Sequence, residues 1–160
     1  MFELKTDLGR GPELYAALER EVNALLAGER DLVANAGNCA ALLYHSLADV
    51  NWVGFYFVRD GGLVVGPFQG KPACVRIPFG NGVCGTAAAT RTTQVVADVA
   101  AFPGHIACDP ASRSEIVVPL VRRGELLGVL DIDSPRSGRF TAEDQAGIET
   151  LARAFVASLD

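Results

Sequence analysis

Two strand–turn–strand patterns constrain the fold of this chain more than any other feature. The segments NWVGFYFV and LVVGPFQG flank RDGG, and the segments SEIVVPLV and ELLGVLDID flank RRG. Short glycine-containing loops between apolar segments are typical of β-hairpins. Because the strands of a hairpin run antiparallel, the chain is predicted to build an antiparallel sheet.

Three helices are predicted to flank the hairpins. GPELYAALEREVNALLAG and ERDLVANAGNCAALLYHSL precede the first hairpin, and FTAEDQAGIETLARAFVASL follows the second. Each segment repeats apolar residues at helical spacing on one face, and Thr141 suits the N-cap of the last helix. The 160 residues are therefore predicted to form a single α+β domain, residues 1–160, with N-terminal and C-terminal helices packed on a central antiparallel sheet.

The connection from Gly70 to Ser114 is long for a compact domain. Within it, GVCGTAAATRT predicts a short helix and TQVVADV predicts a short strand. Long ordered connections are usually functional, and this one carries three of the four cysteines. It is therefore expected to form a pocket.

The four cysteines divide by their surroundings. Cys39 lies on the apolar face of a predicted helix, which predicts a buried, inert thiol. Cys84 lies near a predicted helix start, and Cys108 precedes Asp109-Pro110, which suits an N-cap and first helical position. The positive end of a helix lowers a thiol pKa. Together with Cys74 in a loop, these thiols are expected to be exposed and ionised, with redox chemistry and a plain structural role both open.

A zinc site is the competing interpretation of these cysteines. Cys74, Cys84 and Cys108, with His105, could supply four ligands, but their spacing does not resemble the short paired knuckles of structural zinc sites. We therefore expect no metal. His105 could instead serve as a base for a thiol, although a loop histidine without such a role is commoner.

Three carboxyl side chains are predicted to converge on the second hairpin. A three-residue loop at 122–124 pairs Glu115 with Asp131, and Asp133 then lies on the same face. Like charges repel unless a cation or a proton is held among them, so the cluster predicts a binding or catalytic role. A two-residue turn would pair Glu115 with Ile132 and separate the groups. A solvated edge is the alternative.

Two aromatic residues on the first strand share a face. Trp52 and Tyr56 are four positions apart, and residues at even spacing along a strand point to the same side. Aromatic residues on strands usually belong to the core. The floor of a pocket is the other common use.

Composition excludes several classes of function. Hydrophobic residues make up 49% of the chain and charged residues 21%, and the net charge is -5. The negative charge argues against nucleic acid or an anionic membrane as the main partner, and no apolar run approaches the roughly 20 residues that span a bilayer. The N-terminus lacks the pattern of a secretory signal, so a cytoplasmic protein with reduced thiols is expected.

The chain closely resembles the free methionine-(R)-sulfoxide reductases, which are stand-alone GAF-domain enzymes. The resemblance covers almost the whole chain and is densest in NWVGFY, GPFQGKPACVRIPFG, GVCGTAAAT, FPGHIACDPASRSEIVVPL and GVLDIDSP. It implies a GAF-like fold and the reduction of free L-methionine (R)-sulfoxide to methionine. The reaction would pass through a cysteine sulfenic acid and an intramolecular disulfide that thioredoxin recycles.

The resemblance also implies roles for individual residues. Cys108 corresponds to the nucleophile, Cys74 to the main resolving cysteine and Cys84 to a further, less essential redox cysteine. The implied substrate-binding residues are Trp52, Tyr56, Glu115, Asp131 and Asp133.

Further properties follow from the same resemblance. It implies a homodimer and no cofactor. Cys39 is outside the family trio of cysteines, and Asn81 stands where the family often has a basic residue. A non-catalytic GAF sensor that binds a small ligand, such as a cyclic nucleotide, is the alternative function.

Overall fold

The computed structural model describes residues 1–5, 7–106 and 108–160. The strands form one antiparallel sheet in the order β3-β2-β1-β6-β5-β4, which confirms the predicted α+β class. In chain order the elements are α1 (Gly11–Leu26), α2 (Leu32–Ser46), β1 (Trp52–Arg59), β2 (Gly62–Gly70), β3 (Arg76–Pro78), α3 (Gly82–Thr90), β4 (Gln94–Val96), a 3-10 turn (Val99–Ala101), β5 (Ser114–Arg122), β6 (Glu125–Ser134) and α4 (Ala142–Ala157).

The sheet is covered on both faces. Helices α1, α2 and α4 pack on one face around a large apolar core, in which the rings of Phe55 and Phe155 lie 4.5 Å apart. The other face carries a smaller apolar cluster that includes Tyr56 and Val117, and α3 and the long connection cover it. The predicted short helix and short strand of that connection are confirmed as α3 and β4.

The ends of the helices follow local rules. Thr141 caps α4 as predicted, and its side chain and that of Asp144 also form a reciprocal capping box. Tyr15 of α1 donates a hydrogen bond to the same Asp144 at 2.6 Å, which ties the two terminal helices together. Within the described ranges, no helix combines the length and apolar character needed to cross a membrane.

Both long hairpins use two-residue turns. Asp60-Gly61 joins β1 to β2, and Arg123-Gly124 joins β5 to β6, with positive φ at all four positions (52°, 77°, 51° and 80°). Positive φ at both central residues gives the turn that matches the right-handed twist of the strands. The predicted first hairpin is confirmed, whereas the three-residue loop predicted at 122–124 is wrong.

A β-bulge keeps Glu115 on the same face of the sheet as Asp131 and Asp133. Without it, the two-residue turn would have put Glu115 on the opposite face. The register shifts between Leu120 and Val121, so that Leu127 of β6 is an extra residue. Beyond the bulge, Glu115 pairs with Asp133. The predicted pairing of Glu115 with Asp131 is therefore wrong, but the shift is even and the three carboxyl groups still share one face.

Gly128 beside this bulge is expected to be indispensable, because a Cβ there would collide with the carbonyl oxygen of Tyr56 on β1. Gly128→Ala should lower the free energy of unfolding by about 2–4 kcal/mol. Gly37→Ala in α2 is the matched control: the nearest atom to its added Cβ is 4.0 Å away, and the change should stabilise the helix by roughly 0.5–1 kcal/mol. Urea titration measures both, and equal effects would contradict the role of Gly128.

Candidate active site

A pocket lies on the smaller-core face of the sheet, beneath the long connection. Strands β1, β5 and β6 form its floor, α3 closes one side, and the loops that carry Lys71 and His105 form the rest. The lining residues that bear polar or reactive groups are Trp52, Tyr56, Lys71, Asn81, Cys84, His105, Cys108, Asp109, Ser112, Glu115, Asp131 and Asp133. All eight predicted site residues except Cys74 are therefore in its lining.

The three predicted carboxyl groups meet on the pocket floor. Glu115 and Asp131 are 7% and 6% exposed, so the solvated-edge alternative is wrong. Within the described part of the chain, Asp131 Oδ1 and Asp133 Oδ1 have no hydrogen-bond partner. Burial raises the pKa of each group well above its ordinary value, and repulsion from a neighbouring carboxyl group raises it further. The cluster therefore retains protons that it can donate.

Cys84 lies against this cluster. It is the third residue of α3 and is buried, and its Sγ lies 3.3 Å from Asp131 Oδ2 and 3.9 Å from Glu115 Oε1. Burial raises the pKa of Cys84, and the two carboxyl groups raise it further. The expectation of an exposed, ionised thiol is wrong here because a helix end contributes only about 0.3–1 kcal/mol, less than burial beside acidic groups costs. The thiol is placed to donate a hydrogen bond to Asp131.

Cys74 and Cys108 are joined to each other in a disulfide. Their Cα atoms are 6.1 Å apart, and the bond links two loops that are 34 residues apart in sequence. Cys108 is exposed and Cys74 is partly exposed. Because these sulfurs are bonded to each other, they are not thiolate ligands, and the alternative zinc set with Cys84 and His105 is not assembled in this state.

The loop after Cys108 is held by a turn, not by a helix. Asp109 accepts a hydrogen bond from the Ala111 N–H at 2.9 Å, and its carbonyl accepts one from the Ser112 N–H at 3.1 Å. No helix follows in the described residues, so the predicted helix start at Asp109-Pro110 is wrong. The Lys71 ammonium lies 3.7 Å from Asp109, which draws the two cysteine loops together.

The two predicted aromatic residues belong to both the core and the pocket. Trp52 and Tyr56 are almost fully buried, and Trp52 stacks on Tyr56 and on Phe68 with centroid distances of 5.9 and 5.1 Å. The Trp52 indole N–H donates to the Lys71 carbonyl at 3.1 Å. The core interpretation and the pocket-floor interpretation therefore both hold.

Several polar residues of the site were not found from the sequence. His105 was considered as a zinc ligand, as a base for a thiol and as a plain loop histidine, but not as a neighbour of the carboxyl groups. Its Nε2 lies 3.7 Å from Glu115 Oε2, and burial lowers its pKa. Asn51 Nδ2 donates to Ser112 Oγ at 3.2 Å and lies 3.4 Å from Asp109 Oδ2. A polar residue directly before a buried strand is the one local signal that Asn51 gave.

Cys39 is far from this chemistry. It is 1% exposed in the large core, as predicted, and burial raises its pKa to about 12. It is the natural control for experiments on the other thiols.

The family of the chain follows from comparison with known proteins. The model of the GAF domain matches residues 24–159, which covers most of the chain and all six strands. The chain therefore belongs to the GAF domain family.

Individual relatives indicate which members of the GAF domain family the chain resembles. The free methionine-R-sulfoxide reductase of Escherichia coli (strain K12) is 58% identical over 139 residues, 87% of this chain and 84% of that protein. Protein YtsP of Bacillus subtilis (strain 168) is 52% identical over 160 residues, 96% of this chain and 98% of that protein. The X-ray structure of free methionine-R-sulfoxide reductase from Neisseria meningitidis in complex with its substrate matches with a TM-score of 0.95 at 43% identity, covering 99% of this chain and 96% of that chain. The resemblance to the free methionine-R-sulfoxide reductases is thus confirmed.

The stability of the protein should report the protons held by the carboxyl cluster. The pKa of Glu115 is raised above 4.5 in the folded state, so the folded state binds more protons than the unfolded state above that pH, and stability falls as pH rises. Replacing Glu115 with Gln removes this contribution. Between about pH 5 and pH 8, the free energy of unfolding should decline less in Glu115→Gln than in the wild type, by on the order of 1 kcal/mol.

Denaturant titrations at several pH values test this expectation. Glu125→Gln is the matched control, because Glu125 is an exposed carboxylate on the same hairpin. A wild-type curve that rises over this range, or two variants with the same slope, would contradict it.

Proposed function

We propose that this protein reduces free L-methionine (R)-sulfoxide to methionine, with Cys108 as the nucleophile and Cys74 as the resolving cysteine. The observation that carries the proposal is the Cys74–Cys108 disulfide beside a pocket floored by the carboxyl groups of Glu115, Asp131 and Asp133. The names of the relatives from E. coli and N. meningitidis support it.

The pocket suits a free amino acid that carries a sulfoxide. Such a substrate offers an ammonium group, a polar S=O group and an apolar methyl and methylene chain. The free oxygens of Asp131 and Asp133 can accept hydrogen bonds from the ammonium group. The positive charge also lets one carboxyl group ionise while another keeps its proton. Trp52 can pack on the apolar part.

The first chemical step transfers oxygen to Cys108. A sulfoxide sulfur becomes electrophilic when its oxygen is protonated or strongly hydrogen-bonded, and we propose that the Glu115 carboxyl group, whose pKa is raised, supplies that proton. The Cys108 thiolate then supplies two electrons to the sulfoxide, the S–O bond breaks, methionine is released, and Cys108 is left as a sulfenic acid.

The second step joins the two cysteines in a disulfide. The Cys74 thiol attacks the sulfenic sulfur of Cys108, an S–S bond forms, and the oxygen leaves as water. The balance is one sulfoxide and two thiols converted to one thioether, one disulfide and one water. The ion pair between Lys71 and Asp109 supports this step, because it holds the two loops within reach of each other.

Recycling and assembly complete the proposal. The exposed Cys108 is accessible to a dithiol reductant, for which thioredoxin is proposed. We propose a subsidiary redox role for Cys84, which must leave its contact with Asp131 before it can act. The proposal also includes a single GAF domain over residues 1–160 and assembly as a homodimer. It places the protein in the cytoplasm and needs no cofactor for the reaction.

A coupled assay with separated substrate diastereomers tests the function. NADPH consumption in the presence of thioredoxin and its reductase should follow addition of free methionine (R)-sulfoxide and not of the (S) form. Glu115→Gln should lower kcat/KM by roughly 10²–10⁴-fold, the usual contribution of a general acid. No turnover with either diastereomer would overturn the proposal and favour the non-catalytic sensor.

The cysteine roles are separated by single-turnover experiments. Cys108→Ser should release no methionine above background, since no other thiol attacks the sulfoxide. Cys74→Ser should release about one equivalent of methionine and then stop, because the sulfenic acid is not resolved. Cys39→Ser is the control and should cycle like the wild type. Sustained cycling by Cys74→Ser would instead assign resolution to Cys84.

A further inference from the structure

Three potential metal ligands meet at the floor of the pocket. The ligand atoms of Cys84, Glu115 and Asp131 all lie within 4.8 Å of one another, and all three residues are buried. His105 lies beside this set, with its Nε2 3.7 Å from Glu115 Oε2. The set combines a sulfur with carboxyl oxygens.

The spacing of these atoms matches a tetrahedral zinc site. Ligands at about 2.0–2.3 Å from a tetrahedral zinc ion lie about 3.3–3.8 Å from one another. The observed separations are 3.3 Å from Cys84 Sγ to Asp131 Oδ2 and 3.9 Å from Cys84 Sγ to Glu115 Oε1. The three protein atoms can surround one ion and leave the fourth tetrahedral position for water.

An unused oxygen independently indicates a missing ligand. Asp131 Oδ1 is buried and has no hydrogen-bond partner within the described residues, which costs free energy unless something occupies that direction. A thiol among the donors favours zinc or a similar thiophilic cation over Mg²⁺ or Ca²⁺, which prefer oxygen ligands alone.

We propose that the pocket binds one zinc ion through Cys84, Glu115 and Asp131, and that this ion excludes the substrate. The inhibition rests on the proposed reductase function, because both ligands would need the same carboxyl groups. The site differs from the cysteine-based set that the sequence suggested as an alternative. It does not need Cys74 or Cys108, so the disulfide form should bind zinc as well as the reduced form.

Binding is measured on the metal-free protein in its disulfide form. Zn²⁺ is titrated against a chromophoric chelator, and Co²⁺ is used as a spectroscopic substitute. We expect one equivalent of zinc and a thiolate-to-cobalt charge-transfer band. Cys84→Ser should abolish the band and weaken zinc binding at least about 100-fold, since even a partner outside the ligand set is worth up to about 100-fold. Cys39→Ser should bind like the wild type.

Two further measurements make the result decisive. If Cys84→Ser does not fold, Asp131→Asn is used instead. It keeps the thiol and should weaken zinc binding while leaving a cobalt–thiolate band at higher cobalt concentration. Absence of stoichiometric binding, or unchanged binding in both variants, overturns the proposal.

Kinetic measurements with and without zinc test the proposed inhibition separately from the proposed reductase function. Zinc should raise the apparent KM for free methionine (R)-sulfoxide without lowering kcat. Zinc bound by a protein without reductase activity would leave the site intact and refute the reductase. A reductase indifferent to bound zinc would refute the exclusion of substrate.

Discussion

Burial of acidic groups against one another is the interaction on which this site depends. Glu115 of β5 and Asp133 of β6 lie directly opposite each other on adjacent strands, and Asp131 lies on the same face of β6. Like charges opposite each other destabilise a sheet, and removal from water adds to the cost. The groups can coexist there because they hold protons, as the raised pKa values indicate. The feature that weakens the fold is therefore the one that supplies an acid.

The rest of the molecule offsets this cost on the other face of the sheet. Three helices bury an apolar core there, with the terminal helices tied through Tyr15 and Asp144. The carboxyl groups lie on rigid paired strands, whereas Cys74 and Cys108 lie in the connection that crosses the pocket. Such a division suits chemistry in which acids must be fixed in place and thiols must change partners.

Local patterns predicted the elements better than they predicted the contacts between them. The strands other than β3, the short helix α3 and the cap at Thr141 follow from periodicity and turn residues, which act over a few positions. The three-residue strand β3 was not predicted. The shared face of Glu115, Asp131 and Asp133 was also right, although the turn and the pairing were wrong. The shorter turn shifted the strand register by one residue, and the bulge at Leu127 shifted it by one more. Side chains alternate between the two faces of a strand, so a total shift of two residues leaves Glu115 on the predicted face.

The environment of a side chain was harder to predict, because it depends on residues distant in sequence. The loop after Cys108 depends on hydrogen bonds from Asn51, 58 residues before Asp109, and a turn forms where Asp-Pro suggested a helix. Cys84 does lie at a helix start, as its local sequence predicted. A helix start alone would lower the pKa of the thiol, but burial and the carboxyl groups of β5 and β6 raise it.

That reversal is consistent with the division of roles in the pocket. In the proposed reaction, an ionised Cys84 would add a negative charge beside groups that must keep a proton, and it would compete for the ammonium group of the proposed substrate. A protonated Cys84 can instead donate to Asp131 Oδ2 and fix the orientation of that carboxyl group. The thiols that are proposed to react, those of Cys74 and Cys108, then need to lie away from the acids, where burial and repulsion do not hold the thiol proton. Cys108, exposed at the edge of the pocket, meets that requirement.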